Sequence, residues 1–191
     1  GDLANWKAVL PTLRRPGETF RLSIKGDDRW GNPSNRLTGK IKLKTNLPVT
    51  GLNETVDLKK GDFGVVIEGL SVESPGVLHL TVLDENDQLI ATANPLVIRA
   101  ADAAHFWSDM HAQSGETIGV GTAREYFDFA RNKAFLDIAG HQGNDFQITD
   151  AFWQHLNELT AEYNEDNLFM TLPGYEWSGN TGLGGDHNVW F

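Results

Sequence analysis

Between Arg14 and Ala100, apolar and polar residues alternate in short runs. Phe20, Leu22 and Ile24 occupy every second position, as do Ile41 and Leu43, then Leu78, Leu80 and Val82, and finally Leu96 and Ile98. Alternation with period two sends successive side chains to opposite faces of an extended strand. Turn-forming clusters separate the runs: Gly-Asp-Asp-Arg-Trp-Gly-Asn-Pro at 26–33, Lys-Lys-Gly-Asp at 59–62, Ser-Pro-Gly at 74–76 and Asp-Glu-Asn-Asp at 84–87. Short strands with turn signals at about 8–12-residue spacing predict an antiparallel Ig-like β-sandwich over residues 14–100. Residues 1–13, with Trp6, Val9 and Leu10, read as a lead-in or a short helix. The sandwich carries little chemistry. His79 is a strand-face residue, and the acidic loops lack the Asp-x-Asp-x-Asp-Gly spacing of a calcium loop.

Beyond Ala100 the period changes. Residues 105–111 predict a short buried strand bearing Phe106 and Trp107. Thr122 and Glu125 have capping-box spacing and open a helix that carries Tyr126, Phe127, Phe129 and Ala130 to near Lys133. Residues 135–139 read as a second strand and 140–145 as its loop. Thr149 or Asp150 caps a second helix, with Phe152, Leu156 and Leu159 on one face. Residues 168–172 form a third strand, and 186–191 begin a fourth. This β-α-β-α-β order predicts parallel strands joined by crossover helices, a second domain spanning 101–191.

Ligands of such folds bind at the carboxyl ends of the strands. Asp109 and His111 close the first strand, His141 and Asp145 follow the second, Glu176 follows the third, and Asp186 with His187 comes after the Gly-rich loop, at the start of the fourth. Strand alternation points Asp109 and His111 the same way. A carboxylate beside an imidazole suits a divalent cation, although an Asp–His hydrogen bond closing a strand would use the same pair. Imidazoles and carboxylates gathered at one rim are not what packing alone requires, and this favours a metal site. With no Cys in the chain, that site must use nitrogen and oxygen ligands. His105 and His155 read as structural. Tyr175 and Trp177 either line a pocket or pack. Residues 178–185 form a Gly-rich loop that faces substrate or cradles a phosphate.

The net charge of −10, without a basic stripe, excludes nucleic-acid binding through phosphate neutralisation. No apolar run approaches the ~20 residues of a membrane span, and no signal peptide is visible. Gly1-Asp2 without Met reads as a processed start. The compartment is not encoded in these features.

The segments Trp107-Ser-Asp-Met-His-Ala-Gln, Leu136-Asp-Ile-Ala, Pro173-Gly-Tyr-Glu-Trp-Ser-Gly and Gly185-Asp-His-Asn-Val resemble the PHP (polymerase and histidinol phosphatase) superfamily, in its branch with an N-terminal β-sandwich. The resemblance implies the first part of a distorted (β/α)7 barrel, with Zn, Mn or Fe at its carboxyl rim. It also implies phosphoester hydrolysis of a small-molecule substrate. His111 would be the first His of the His-x-His motif, Glu176 the bridging carboxylate and His187 the ligand of Gly-x-His. Gln113 replaces the second His, and residues 140–145 replace Thr-Asp-His, so His141, Asn144 or Asp145 would fill that place. One or two ions are therefore expected, with Asp109 or Asp145 taking a proton from metal-activated water. A barrel of that kind needs ~200–250 residues, so the chain would end mid-barrel, completed in cis or by a second polypeptide. A non-catalytic binding module on a degenerate barrel is the alternative.

Overall fold

The computed structural model describes residues 1–179 and 184–191. The chain divides into two compact units, Gly1–Phe106 and Trp107–Phe191.

The first unit contains β1 (Asn5–Val9), β2 (Leu13–Arg14), β3 (Phe20–Asp27), β4 (Gly39–Thr45), β5 (Thr55–Leu58), β6 (Gly64–Leu70), β7 (Gly76–Leu78), β8 (Leu80–Leu83), β9 (Leu89–Thr92) and β10 (Leu96–Ile98). They pair as β1-β3-β6, β5-β4-β8-β9 and β2-β10-β7, antiparallel except for the short parallel pair β2–β10. The alternating apolar residues supply the core: Leu22, Ile24, Ile41, Leu43, Leu78, Leu80, Val82, Leu96 and Ile98 are all buried in one cluster. The unit is a β-sandwich. Its first residues belong to it, because β1 pairs with β3 and Ala8 joins the core. The run 78–82 breaks at His79, where Asn46 Oδ1 accepts the His79 N–H at 2.7 Å. There the chain leaves the partner of β7 for that of β8.

The second unit contains β11 (Ser108–Ala112), α1 (Ala123–Asn132), β12 (Ile138–His141), α2 (Asp150–Tyr163), β13 (Met170–Leu172), β14 (Gly174–Trp177) and β15 (His187–Trp190). Strands β11, β12 and β13 form a parallel sheet with β12 central. Thr122 and Glu125 close a full capping box on α1, and Thr149 caps α2. Replacing Thr122 with alanine is expected to lower stability by about 1 kcal/mol in urea unfolding, since the Glu125 N–H loses the hydroxyl that accepts it. Ala123, Phe127 and Ala130 from α1, Leu156 and Leu159 from α2, Ala139 and Phe169 make the core.

Two expectations are corrected here. The fourth strand is not parallel: β15 pairs antiparallel with β14, Gly174 opposite Trp190 and Trp177 opposite His187. Pro173, which has no N–H for a ladder, separates β13 from β14 and ends the parallel run. Among the described residues the parallel sheet therefore stops at β13, and no barrel forms. Phe106 and Trp107 precede β11 instead of filling a buried strand, and both are exposed. Two glycines seat the hairpin. A Cβ at Gly140 would overlap the Trp190 ring, and one at Gly174 would overlap the Val189 carbonyl oxygen.

Candidate functional site

The site is built around Glu176, a residue only 6% exposed. Its main chain runs beside the loop after β12: the Glu176 N–H donates to Gly143 O and the Asp145 N–H to Glu176 O, both at 2.9 Å. This brings the carboxyl ends of β11 and β12 to the start of the β14–β15 hairpin. Glu176 Oε2 accepts from Gln113 Nε2 at 2.7 Å and from Asn144 Nδ2 at 2.9 Å. His111 Nε2 lies 3.4 Å from the same oxygen, with its ring half exposed. Burying a carboxylate is costly unless it is hydrogen-bonded and its charge is met. Two neutral amides give the bonds, and the His111 ring faces the same oxygen.

Both amides are themselves anchored. Gln113 Oε1 accepts from Thr117 Oγ1 at 2.8 Å, and Asn144 Nδ2 also reaches Ser178 Oγ at 3.2 Å. Asn144 Oδ1 is buried without a partner among the described residues.

The other candidates sit differently. His141, 1% exposed, faces inward against the edges of Tyr126 and Phe152. Its Nδ1 accepts the Gly143 N–H at 3.1 Å, so the proton resides on Nε2, which donates to Ser114 Oγ at 2.7 Å. Burial lowers its pKa to about 4, against the opposing charge of Glu116. Neither nitrogen is free for a cation. Burial pushes the Glu116 carboxyl up, but the Ser114 hydroxyl and the N–H groups of Glu116 and Ala123 hold it below its ordinary value. Asp145 Oδ1 accepts the N–H groups of Phe146 and Ser178, at 2.9 and 3.2 Å, and so braces a turn. Asp109 Oδ1 accepts the His111 N–H at 3.2 Å. The β11–β12 register slips between Asp109 and Ala112, which breaks the strict alternation expected there. Burial, then the charge of Asp109, raises the pKa of Tyr126.

His187 does not join His111 and Glu176. It opposes Trp177 across the hairpin while Glu176 opposes Asn188, so the two side chains leave on opposite faces. The His187 ring stacks on Trp177 at 5.5 Å and 22°. Tyr175 packs against Trp153 and Phe191. The centre of the Gly-rich loop, residues 180–183, lies outside the described residues. Among the described residues no three His, Asp or Glu side chains converge as a metal cluster. Sequence reasoning passed over Ser114 and Thr117, which carry no motif and matter only through what they hold.

The sequence profile of DUF3604, described as a protein of unknown function, matches residues 79–191. The chain belongs to that family. The match takes in the whole segment on which the PHP resemblance rested, and it overturns that assignment. An uncharacterized protein of Chlamydia pneumoniae is 22% identical over 94% of this chain and 30% of its own length. Another, from Chlamydia trachomatis serovar D, is 20% identical over 92% of this chain and 29% of its own length. The chain thus spans less than a third of the curated relatives it matches. Two solved structures are similar to about half the chain. The PKD domain of an M14-like peptidase from Thermoplasmatales archaeon SCGC AB-540-F20 has 13% identity and a TM-score of 0.30, covering 50% of this chain and 94% of that one. The CARDB domain of the PF1109 protein from Pyrococcus furiosus, in complex with di-metal ions, has 17% identity and a TM-score of 0.30, covering 51% and 90%. Among the described residues no helix is long and apolar enough to cross a membrane.

Proposed function

We propose that this chain carries the cation site of a metal-dependent hydrolase, with Glu176 and His111 holding a divalent ion such as Zn, Mn or Fe. The observation behind this reading is the buried Glu176 carboxylate facing an imidazole 3.4 Å away at the sheet's carboxyl edge. The donor set fits, with one carboxylate and one imidazole facing each other, and Asn144, whose Oδ1 is buried without a partner among the described residues, bonded to that carboxylate. A bound ion would lower the pKa of a coordinated water towards ~7. Glu176 would supply the negative charge, Gln113 and Asn144 would orient it, and Asp109, which accepts the His111 N–H, would take a proton from water.

Manganese titrated calorimetrically into the full chain should bind saturably, and Glu176→Gln should abolish the heat. Hydrolysis of bis(p-nitrophenyl) phosphate should require the ion and disappear in His111→Ala. Absence of saturable binding by Mn or Zn sinks the reading. The second reading is a binding module without catalysis. It is favoured by the neutral amides of Gln113 and Asn144 at positions beside the carboxylate, and binding without hydrolysis would select it.

A further inference from the structure

We infer that His141 is a positioning residue for the Glu176 site: its uncharged ring ties together the two loops whose amides hold the carboxylate. The inference rests on the cation-site reading and extends it to a residue that touches neither cation nor substrate.

The connection can be followed bond by bond. His141 Nε2 meets Ser114 Oγ at 2.7 Å, and Ser114 directly follows Gln113. His141 Nδ1 accepts from the N–H of Gly143 at 3.1 Å, and Gly143 directly precedes Asn144. Gln113 and Asn144 then donate to the same oxygen of Glu176. One imidazole therefore joins the loop after β11 to the loop after β12, and the carboxylate closes the circuit from the other side.

The strut is sealed, with Ser114 fully buried and His141 nearly so. The loops are also in close contact. A Cβ at Gly143 would stand 2.8 Å from Thr117 Cγ2 and 3.1 Å from His141 Cε1, so a side chain there would have to push one of them aside. The neutral ring suits this role because one nitrogen must accept and the other must donate. Groups that orient a ligand commonly control metal affinity by about 10–100-fold without touching the ion.

The test uses the full chain in two variants. His141→Leu fills the space but makes neither bond. His141→Gln offers an amide acceptor and donor in their place. Without added cation, the side-chain NH2 signals of Gln113 and Asn144 and the Gly143 amide are followed in 1H–15N spectra. With manganese, affinity is measured on samples whose circular dichroism matches wild type. His141→Leu should move those signals towards solvent-exposed positions and weaken manganese by about 10-fold or more. His141→Gln should recover most of both. A folded His141→Leu with unchanged NH2 signals or unchanged manganese affinity overturns the inference. If His141→Leu does not fold, Ser114→Ala cuts one of the two bonds and is read in the same way. Wild-type protein that binds no manganese would defeat the cation reading, while the NH2 signals would still decide the role of His141.

Discussion

Phe127→Ala is expected to destabilise the second unit by about 3–5 kcal/mol, the cost of deleting a buried aromatic side chain and leaving a cavity. Phe127 is fully buried on α1, stacked on Tyr163 of α2 at 5.5 Å and tilted against Tyr126 at 5.2 Å. It is thus the ring through which the two crossover helices meet. The loss is read as a lower midpoint for exchange of α1 amides in urea, with first-unit amides as the internal reference. A shift below about 1 kcal/mol would mean that the core closes over the gap, and the packing described above would be wrong. The same variant should weaken any ligand at Glu176, because α1 follows the loop that carries Gln113.

The second large effect is acid sensitivity. Burial lowers the His141 pKa from 6.5 to about 4 in the folded chain. The unfolded chain takes up a proton below its ordinary pKa, while the folded chain resists until about pH 4. Between those limits the unfolded state binds more protons, so stability falls as pH falls. The contribution is complete above pH 6.5 and decreases towards pH 4, by about 3 kcal/mol in all. Other carboxylates titrate in the lower part of that window, so the informative quantity is the difference between wild type and His141→Gln across the range. That difference should be flat above pH 7 and slope below about 6. A flat difference throughout would mean that the ring is solvated and already protonated near its ordinary value.

The sandwich was legible because its faces alternate. Phe20, Leu22 and Ile24 enter the core together with Ile41 and Leu43. Strand β6 escaped, since Val65, Val66 and Ile67 run consecutively and carry no period-two signature. The capping box of α1 was equally readable, because its geometry depends on two residues at fixed spacing. Pairing partners were not readable. Nothing local to residues 186–191 says whether they join β13 in parallel or fold back on β14. Pro173 was the available clue.

The site divided in the same way. His111 falls in the first strand of the second unit, as element order implies, whereas Glu176, expected in a loop after the third strand, lies within the separate strand β14. Which way His141 turns depends on Tyr126 and Phe152, contributed by both helices, and no spacing encodes that. His187 was misplaced because its face depends on hairpin register, which sequence order leaves open.

The contact between Gly140 and the Trp190 ring constrains how this protein can diverge. A methyl group gained at position 140 has to be matched by a smaller side chain at 190. Positions 140 and 190 are thus expected to change only together, while 174 faces a main-chain oxygen, that of Val189, which no side-chain change withdraws. Combinatorial libraries that enlarge Gly140 or Gly174 alone will mostly sample chains whose β14–β15 hairpin no longer seats.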